Sequence, residues 1–172
     1  DAVRALDWTR YLAPGQTLSV RASGSSGAFR NTHFAALKVK DAIVDTLRDA
    51  RGERPDVDTE DPDLWLRVHL AGKVMTLSRD LPGPSLHKRG YRSALHKSPL
   101  NEALAAGLIL LSGWDRTQAL LDPMCGSATF LIEAAWIAGD RAPGLDRTMA
   151  FERWPDHDAG SWAKLQDEAR QR

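Results

Sequence analysis

The sequence predicts an α/β chain built in two parts. Three observations carry that reading. The first is alternating β-type runs flanking one long amphipathic helix before residue 80. The second is a proline-glycine break at Leu81–Ser85, where the pattern stops. The third is the stretch LLDPMCGSATFLIEAA, Leu120 to Ala135, which reads as a short apolar strand, a small-residue turn and an apolar helix.

In chain order, TLSVRAS (Thr17 to Ser23) alternates and reads as a strand closed by a turn at Gly24-Ser25-Ser26-Gly27. His33 to Ala50 reads as a helix capped by Asn31 or Thr32. Its inward face carries Ala35, Val39, Ala42, Ile43, Thr46, Leu47 and Ala50; Lys38, Asp41, Asp45 and Arg48 lie opposite. RGERPDVDTEDPD is polar and proline-marked, hence a loop. Its acids lack the glycine and terminal glutamate of a calcium loop. LWLRVHL and KVMTLSR read as two strands of a hairpin turning at Ala71-Gly72. After the break, LHKRGYRSALHKSPLN contains no acid and carries Lys88, Arg89, Arg92 and Lys97. Pro99 suits the first turn of a helix. NEALAAGLILLSGW is apolar almost all round, so this helix should be buried on every face and stop at Gly113. Ala119 to Asp122 reads as a short buried strand, and the helix after Gly126 should reach about Ala138. Trp154 and Trp162 anchor a polar tail, and Ser161 to Arg172 reads as helical.

Composition narrows the function. Lys+Arg and Asp+Glu both number 23 in 172 residues, so nucleic-acid binding would need a local basic patch. One cysteine, Cys125, excludes an intrachain disulfide and a multi-cysteine zinc site. Five scattered histidines show no metal-ligand spacing, so no metal is expected. A cytoplasmic location fits the cysteine usage, and no apolar run has transmembrane length, so no membrane partner is expected. The turn CGSAT lacks the Walker ending, the dinucleotide glycine pattern and the glycines of a nucleophile elbow. Strand, small-residue turn and helix do aim backbone N–H groups at a ligand. No base adjoins Cys125, which disfavours a nucleophilic role.

LDPMCGSATFLIEAA resembles the first motif of Rossmann-like S-adenosylmethionine-dependent methyltransferases. Its nearest likeness is D-P-M-C-G-S-G-T-x-x-I-E-A-A of THUMP-domain RNA methyltransferases. That group includes bacterial enzymes that methylate a guanine exocyclic amine in large-subunit ribosomal RNA. KVKDAIVD, RPDVD, SLHKRGYR, SPLNEALAAGLILLSGW and FERWPDHDAGSWAKLQDEAR resemble the same family in the same order. The resemblance implies a partial THUMP domain over 1–80, a basic linker over 81–98 and the start of a methyltransferase domain over 99–172. It implies S-adenosylmethionine as cofactor, on Asp122, Pro123, Cys125, Gly126, Ser127 and Thr129, with Pro99, Leu100 and Glu102 from the preceding helix. RNA, expected to be 23S rRNA, is the implied partner. Lys38, Lys40, Lys88, Arg89, Tyr91 and Arg92 are the candidate contacts, Tyr91 by stacking.

Two departures stand out. The family has glycine where this chain has Ala128, which strains the backbone if that position has positive φ. The family's catalytic Asn/Asp-Pro-Pro-aromatic motif does not occur here, nor does the ribose-binding acid that should follow a second strand. The chain is therefore expected to be an internal piece of a longer enzyme, inactive and poorly stable alone. The alternatives are a non-catalytic RNA-binding module and a methyltransferase for transfer RNA or DNA.

Overall fold

The computed structural model describes residues 2–29, 31–92 and 100–172. The readings placed on Lys97 and Pro99 lie outside the described residues. The chain forms two compact units. One comprises Asp1–Gly83 with Met149–His157; the other comprises Pro84–Thr148 with Asp158–Arg172.

The first unit is a three-stranded sheet covered by one helix. β1 (Leu18–Ser25) runs into α1 (Thr32–Arg51), which crosses to β2 (Leu64–Ala71); β3 (Val74–Arg79) follows by a tight hairpin. β1 and β2 are parallel, with Leu18 opposite Leu64; β2 and β3 are antiparallel, with Leu66 opposite Arg79. A helix between parallel strands is the usual crossover, since such strands cannot be joined by a short turn. Asn31 caps α1 by accepting from the Phe34 N–H at 2.7 Å, and Gly52, at φ 76°, closes it.

β2 explains the core. Leu66, Val68 and Leu70 are buried against α1, where Val39, Ile43, Val44 and Leu47 face them, while Arg67 and His69 point outward. Ala36 and Val44 are buried and Ala50 is exposed, so the buried stripe of α1 is rotated slightly from the expected one.

The expected turn at Gly24-Ser25-Ser26-Gly27 is corrected: β1 continues through Gly24 and Ser25, which pair with Leu70 and Ala71. A Cβ on Gly24 would lie 2.1 Å from the Leu70 carbonyl oxygen. The glycine therefore permits close approach of two backbones. The hairpin turns on Gly72-Lys73, one residue later than expected, with Gly72 at φ 60°.

A late segment completes this unit. A short 3-10 turn, Ala150–Arg153, and the residues to His157 pack into it. Trp154 is buried in the core beneath the Arg79 guanidinium, which stands 4.0 Å from its ring centroid. Arg79 also grips Asp156 with two bonds of 2.9 and 3.0 Å. That ion pair holds the Asp156 carboxyl below the usual carboxylate range. Arg153 pairs with Asp61 at 2.7 Å, and its carbonyl oxygen accepts from the Gln16 side chain at 2.7 Å. Ala150 Cβ would meet a Cβ on Gly83 at 2.9 Å, so only glycine fits there.

In the second unit, α2 (Glu102–Leu111) packs on α3 (Thr129–Ala138), and α4 (Ala159–Arg170) follows. Asn101 caps α2 through the Leu104 N–H at 3.0 Å. Burial of α2 on every face is overturned. Glu102, Ala105 and Ile109 are buried, whereas Leu104, Leu108, Leu110 and Leu111 are exposed. Buried positions at i, i+3 and i+7 form one stripe, and among the described residues that stripe is the buried one. The helix ends at Leu111, ahead of Gly113.

The strand expected at Ala119–Asp122 does not form, and Leu121 is 87% exposed. A strand is a hydrogen-bonded ladder, and among the described residues the second unit holds no other strand to pair with it. α4 begins at Ala159, capped by Asp158 through the Ser161 N–H at 3.1 Å.

Replacing Trp154 with alanine should destabilise the first unit by about 3 kcal/mol, because a large buried ring leaves a cavity. Urea unfolding followed by far-UV circular dichroism checks this; an unchanged midpoint would mean the late segment is not part of that unit's core.

Candidate functional site

The loop from Asp122 to Ala128 is organised by its own backbone. Asp122 is half-buried, and its carboxylate accepts the Met124 N–H at 3.1 Å. That is an Asx turn, which a short acidic side chain favours. The Cys125 carbonyl oxygen accepts the Ala128 N–H at 2.7 Å, and the Ala128 carbonyl oxygen accepts the Ile132 N–H at 2.9 Å. Gly126 has φ 52°, and a Cβ there would meet nothing nearer than the Met124 carbonyl oxygen at 4.0 Å. Glycine is needed for its dihedral angle, and the space beside it is open.

Ala128 lies at φ 57° and ψ 26°, in the left-handed region. The strained alternative for this position is the one the structure adopts. Ala128 stands where α3 would carry a capping side chain and supplies none; the first turn of α3 has no acid. The N–H groups of that turn are left without a side-chain acceptor at their cap.

Behind the loop sits a polar network in an apolar setting. Glu133, on α3, is 2% exposed, and Glu102, on α2, is 5% exposed. Two buried carboxylates would be costly if unpaired. Tyr91 donates to Glu133 Oε1 at 3.0 Å, and Arg89 Nε lies 3.5 Å from the same oxygen. Arg92 Nε lies 3.4 Å from Glu102 Oε1. The Arg92 guanidinium also donates to the Leu100 carbonyl oxygen, and to Thr129 Oγ1 at 3.1 Å. Thr129 Oγ1 is in turn 3.1 Å from Ser127 Oγ. Tyr91 packs edge-on against Trp136, with centroids 5.2 Å apart. Burial, and then the bond to Glu133, push its phenol well above its ordinary range, so it remains a proton donor.

Asp122, Pro123, Cys125, Gly126 and Ser127 thus lie on one continuous loop, and Thr129 begins α3 directly after it. Arg92 links the Leu100–Glu102 segment to Thr129. A cleft of about 240 Å³ beside it is lined by Leu108, Ile109, Leu120, Leu121, Asp122 and Phe130, among others. Pro123, Met124 and Cys125 are exposed.

The candidate RNA residues separate. Lys38 and Lys88 are exposed, Lys38 with its ammonium 5.5 Å from the Phe34 ring centroid. Lys40 is folded onto Asp41 at 2.8 Å, with its side chain 20% exposed, not turned freely to solvent. That contact holds the Asp41 carboxyl below its ordinary value. Arg89, Tyr91 and Arg92 sit inward against α2 and α3, engaged with carboxylates, rather than on the open patch expected of them. Glu133 was missed. Its signal was an acid on the inward side of the otherwise apolar TFLIEAAWIA, four residues after Thr129. Among the described residues no cluster of three or more metal-ligating side chains occurs.

Fold and loop together define the class: a THUMP domain followed by the start of a methyltransferase domain. The THUMP domain family matches residues 1–80, and the RMKL-like methyltransferase domain family matches residues 89–172. The chain is 50% identical over 177 residues to the ribosomal RNA large subunit methyltransferase K/L of Cellvibrio japonicus, covering 100% of this chain and 24% of that protein. It is 49% identical over 176 residues to the protein of the same description from Pseudomonas aeruginosa, covering 99% of this chain and 24% of the relative. It therefore spans about a quarter of the length of these curated relatives.

Among solved structures, one from Listeria monocytogenes, described as a predicted N6-adenine-specific DNA methylase, superposes with a TM-score of 0.84 at 31% identity, covering 99% of this chain and 45% of that one. SMU.472, a methyltransferase by description and complexed with SAH, gives 0.79 at 34%, covering 98% and 45%. The chain carries a THUMP domain match over residues 1–80 and an RMKL-like methyltransferase domain match over residues 89–172, the order found here in fold and loop.

Two outcomes follow from the geometry. Ala128→Gly should stabilise the second unit by about 1 kcal/mol, by releasing a left-handed alanine, read as a raised midpoint in chemical denaturation. Glu133→Ala should cost about 2–3 kcal/mol, because the half-buried Arg89 and Tyr91 lose their acceptor; a change below 1 kcal/mol would mean the network carries no stability.

Proposed function

We propose that the complete protein methylates RNA from S-adenosylmethionine, at the exocyclic N2 of a guanine in 23S rRNA. The observation that carries the reading is the Asp122–Ala128 loop, with its left-handed turn leading into an α3 that has no side-chain cap. The matched families and the ribosomal RNA methyltransferase relatives support it.

The residues present fit the donor molecule's amino-acid end. Asp122 offers a half-buried carboxylate for an ammonium group. Ser127 and the first N–H groups of α3 offer donors for a carboxylate. The open space at Gly126 allows backbone approach. When bound, S-adenosylmethionine supplies a methyl group already activated on sulfonium. This chain's residues hold and orient its donor; positioning is most of what such a transfer needs.

We assign residues 1–80 to RNA binding, 81–98 to a linker and 99–172 to the donor side, in a cytoplasmic protein. Lys38, on α1 in the first unit, and Lys88, in the second unit, are the exposed candidates offered to RNA, and Lys40 lies on α1 with Lys38. No helix among the described residues is long and apolar enough to cross a membrane. A second reading, transfer to DNA, is favoured by the description of the Listeria structure.

With the complete protein, labelled methyl should pass to unmodified 23S rRNA and not to DNA or transfer RNA. Transfer to DNA alone would establish the second reading. Asp122→Ala and Gly126→Val should each abolish donor binding in calorimetry; unchanged affinity in both would move the donor site off this loop.

A further inference from the structure

The donor site has a polarity that Arg92 imposes. A guanidinium only donates hydrogen bonds. Its bond to Thr129 Oγ1, at 3.1 Å, therefore makes that oxygen an acceptor. Thr129 is 3% exposed, so its own hydroxyl proton has no access to solvent. Among the described residues, the acceptor within reach is Ser127 Oγ, at 3.1 Å. Were Ser127 to donate instead, the buried Thr129 proton would lose that acceptor, which is costly in such a site. The favoured order runs from Arg92 N–H to Thr129 oxygen, and from Thr129 O–H to Ser127 oxygen. Ser127 then has its own proton left to donate outward, beside the open space at Gly126.

Arg92 is fixed in this role from three sides. It is paired with buried Glu102 at 3.4 Å, donates to the Leu100 carbonyl oxygen, and donates to Thr129 Oγ1 at 3.1 Å. Nothing in that arrangement lets it turn away without leaving a buried carboxylate unpaired.

We propose that Arg92 is a positioning residue of the donor site, which orders the Thr129–Ser127 hydroxyl pair so that the loop presents a hydrogen-bond donor to the carboxylate of the bound amino-acid group. The inference rests on the donor-site reading above and deepens it. The site is thereby biased toward nucleosides carrying an amino-acid tail and against the same thioether nucleoside without one.

The test uses the complete protein and two probes, S-adenosylhomocysteine and 5′-methylthioadenosine, which lacks the amino-acid tail. Thr129→Val removes the relay with little change of shape, Ser127→Ala removes its last donor, and Arg92→Lys keeps a positive charge beside Glu102. Ser127→Ala should weaken S-adenosylhomocysteine binding by roughly tenfold, the loss of one hydrogen bond to a charged group, and Thr129→Val and Arg92→Lys, which leave the Ser127 hydroxyl in place but unordered, by roughly threefold. Each should leave methylthioadenosine binding unchanged, and the double variant Arg92→Lys with Thr129→Val should lose no more than either alone. Thr129→Ser should restore wild-type affinity.

Equal loss for both probes would show a general structural role and overturn the proposal. So would additive losses, or no loss in Thr129→Val, a variant that leaves the Arg92–Glu102 pair in place. If the wild-type complete protein bound neither probe, the donor-site reading itself would fall, and this inference with it.

Discussion

Two carboxylates hidden from water govern the second unit. Glu133 and Glu102 sit on facing helices that are otherwise apolar, so each demands a cation or a donor. The demand is met by Arg89, Tyr91 and Arg92, which reach in from the segment just after the proline-glycine break. Arg89, Tyr91 and Arg92 of that segment thereby brace the two helices. Because Arg92 also holds Leu100 and Thr129, the brace ends on the first residue of α3, next to the loop. The geometry of the loop and the charge balance of the helix pair are one problem with one solution.

The loop itself combines freedom with strain. Gly126 takes a left-handed conformation at no steric cost, while Ala128 takes one at a cost. Strain of this size persists only where neighbours hold the chain in place. Here the hold comes from the Cys125–Ala128 backbone bond on one side and from Thr129, anchored by Arg92, on the other.

The first unit depends on a different device. Its helix-covered sheet is finished by residues 149–157, which follow α3 by about ten residues in sequence. Arg79 is the fastening, stacked on Trp154 and bonded to Asp156. A chain that leaves a domain and returns to it makes the integrity of that domain depend on a distant stretch of sequence. No local pattern announces this: FERWPDHD reads as a polar tail with one large anchor.

Read alone, the sequence determined what is local. β1, α1 and the hairpin follow from periodicity, the Asn31 cap and Gly72, since each depends on residues within a few positions of one another. The α3 helix and the turn before it follow from apolar spacing and small residues. Tertiary structure decided the rest. Ala119–Asp122 has strand-like residues but, among the described residues of its unit, no strand to pair with. α2 has four exposed leucines because, among the described residues, only one stripe of it meets a partner. Gly24 serves a close approach to β2 rather than a turn, because Leu70 lies against it. Arg89, Tyr91 and Arg92 are a basic run in the sequence, yet in the fold they answer buried acids 10 to 44 residues further on, Glu102 and Glu133. Propensity and capping act over a few residues of chain; burial, pairing of strands and pairing of buried charges are settled by what is near in space.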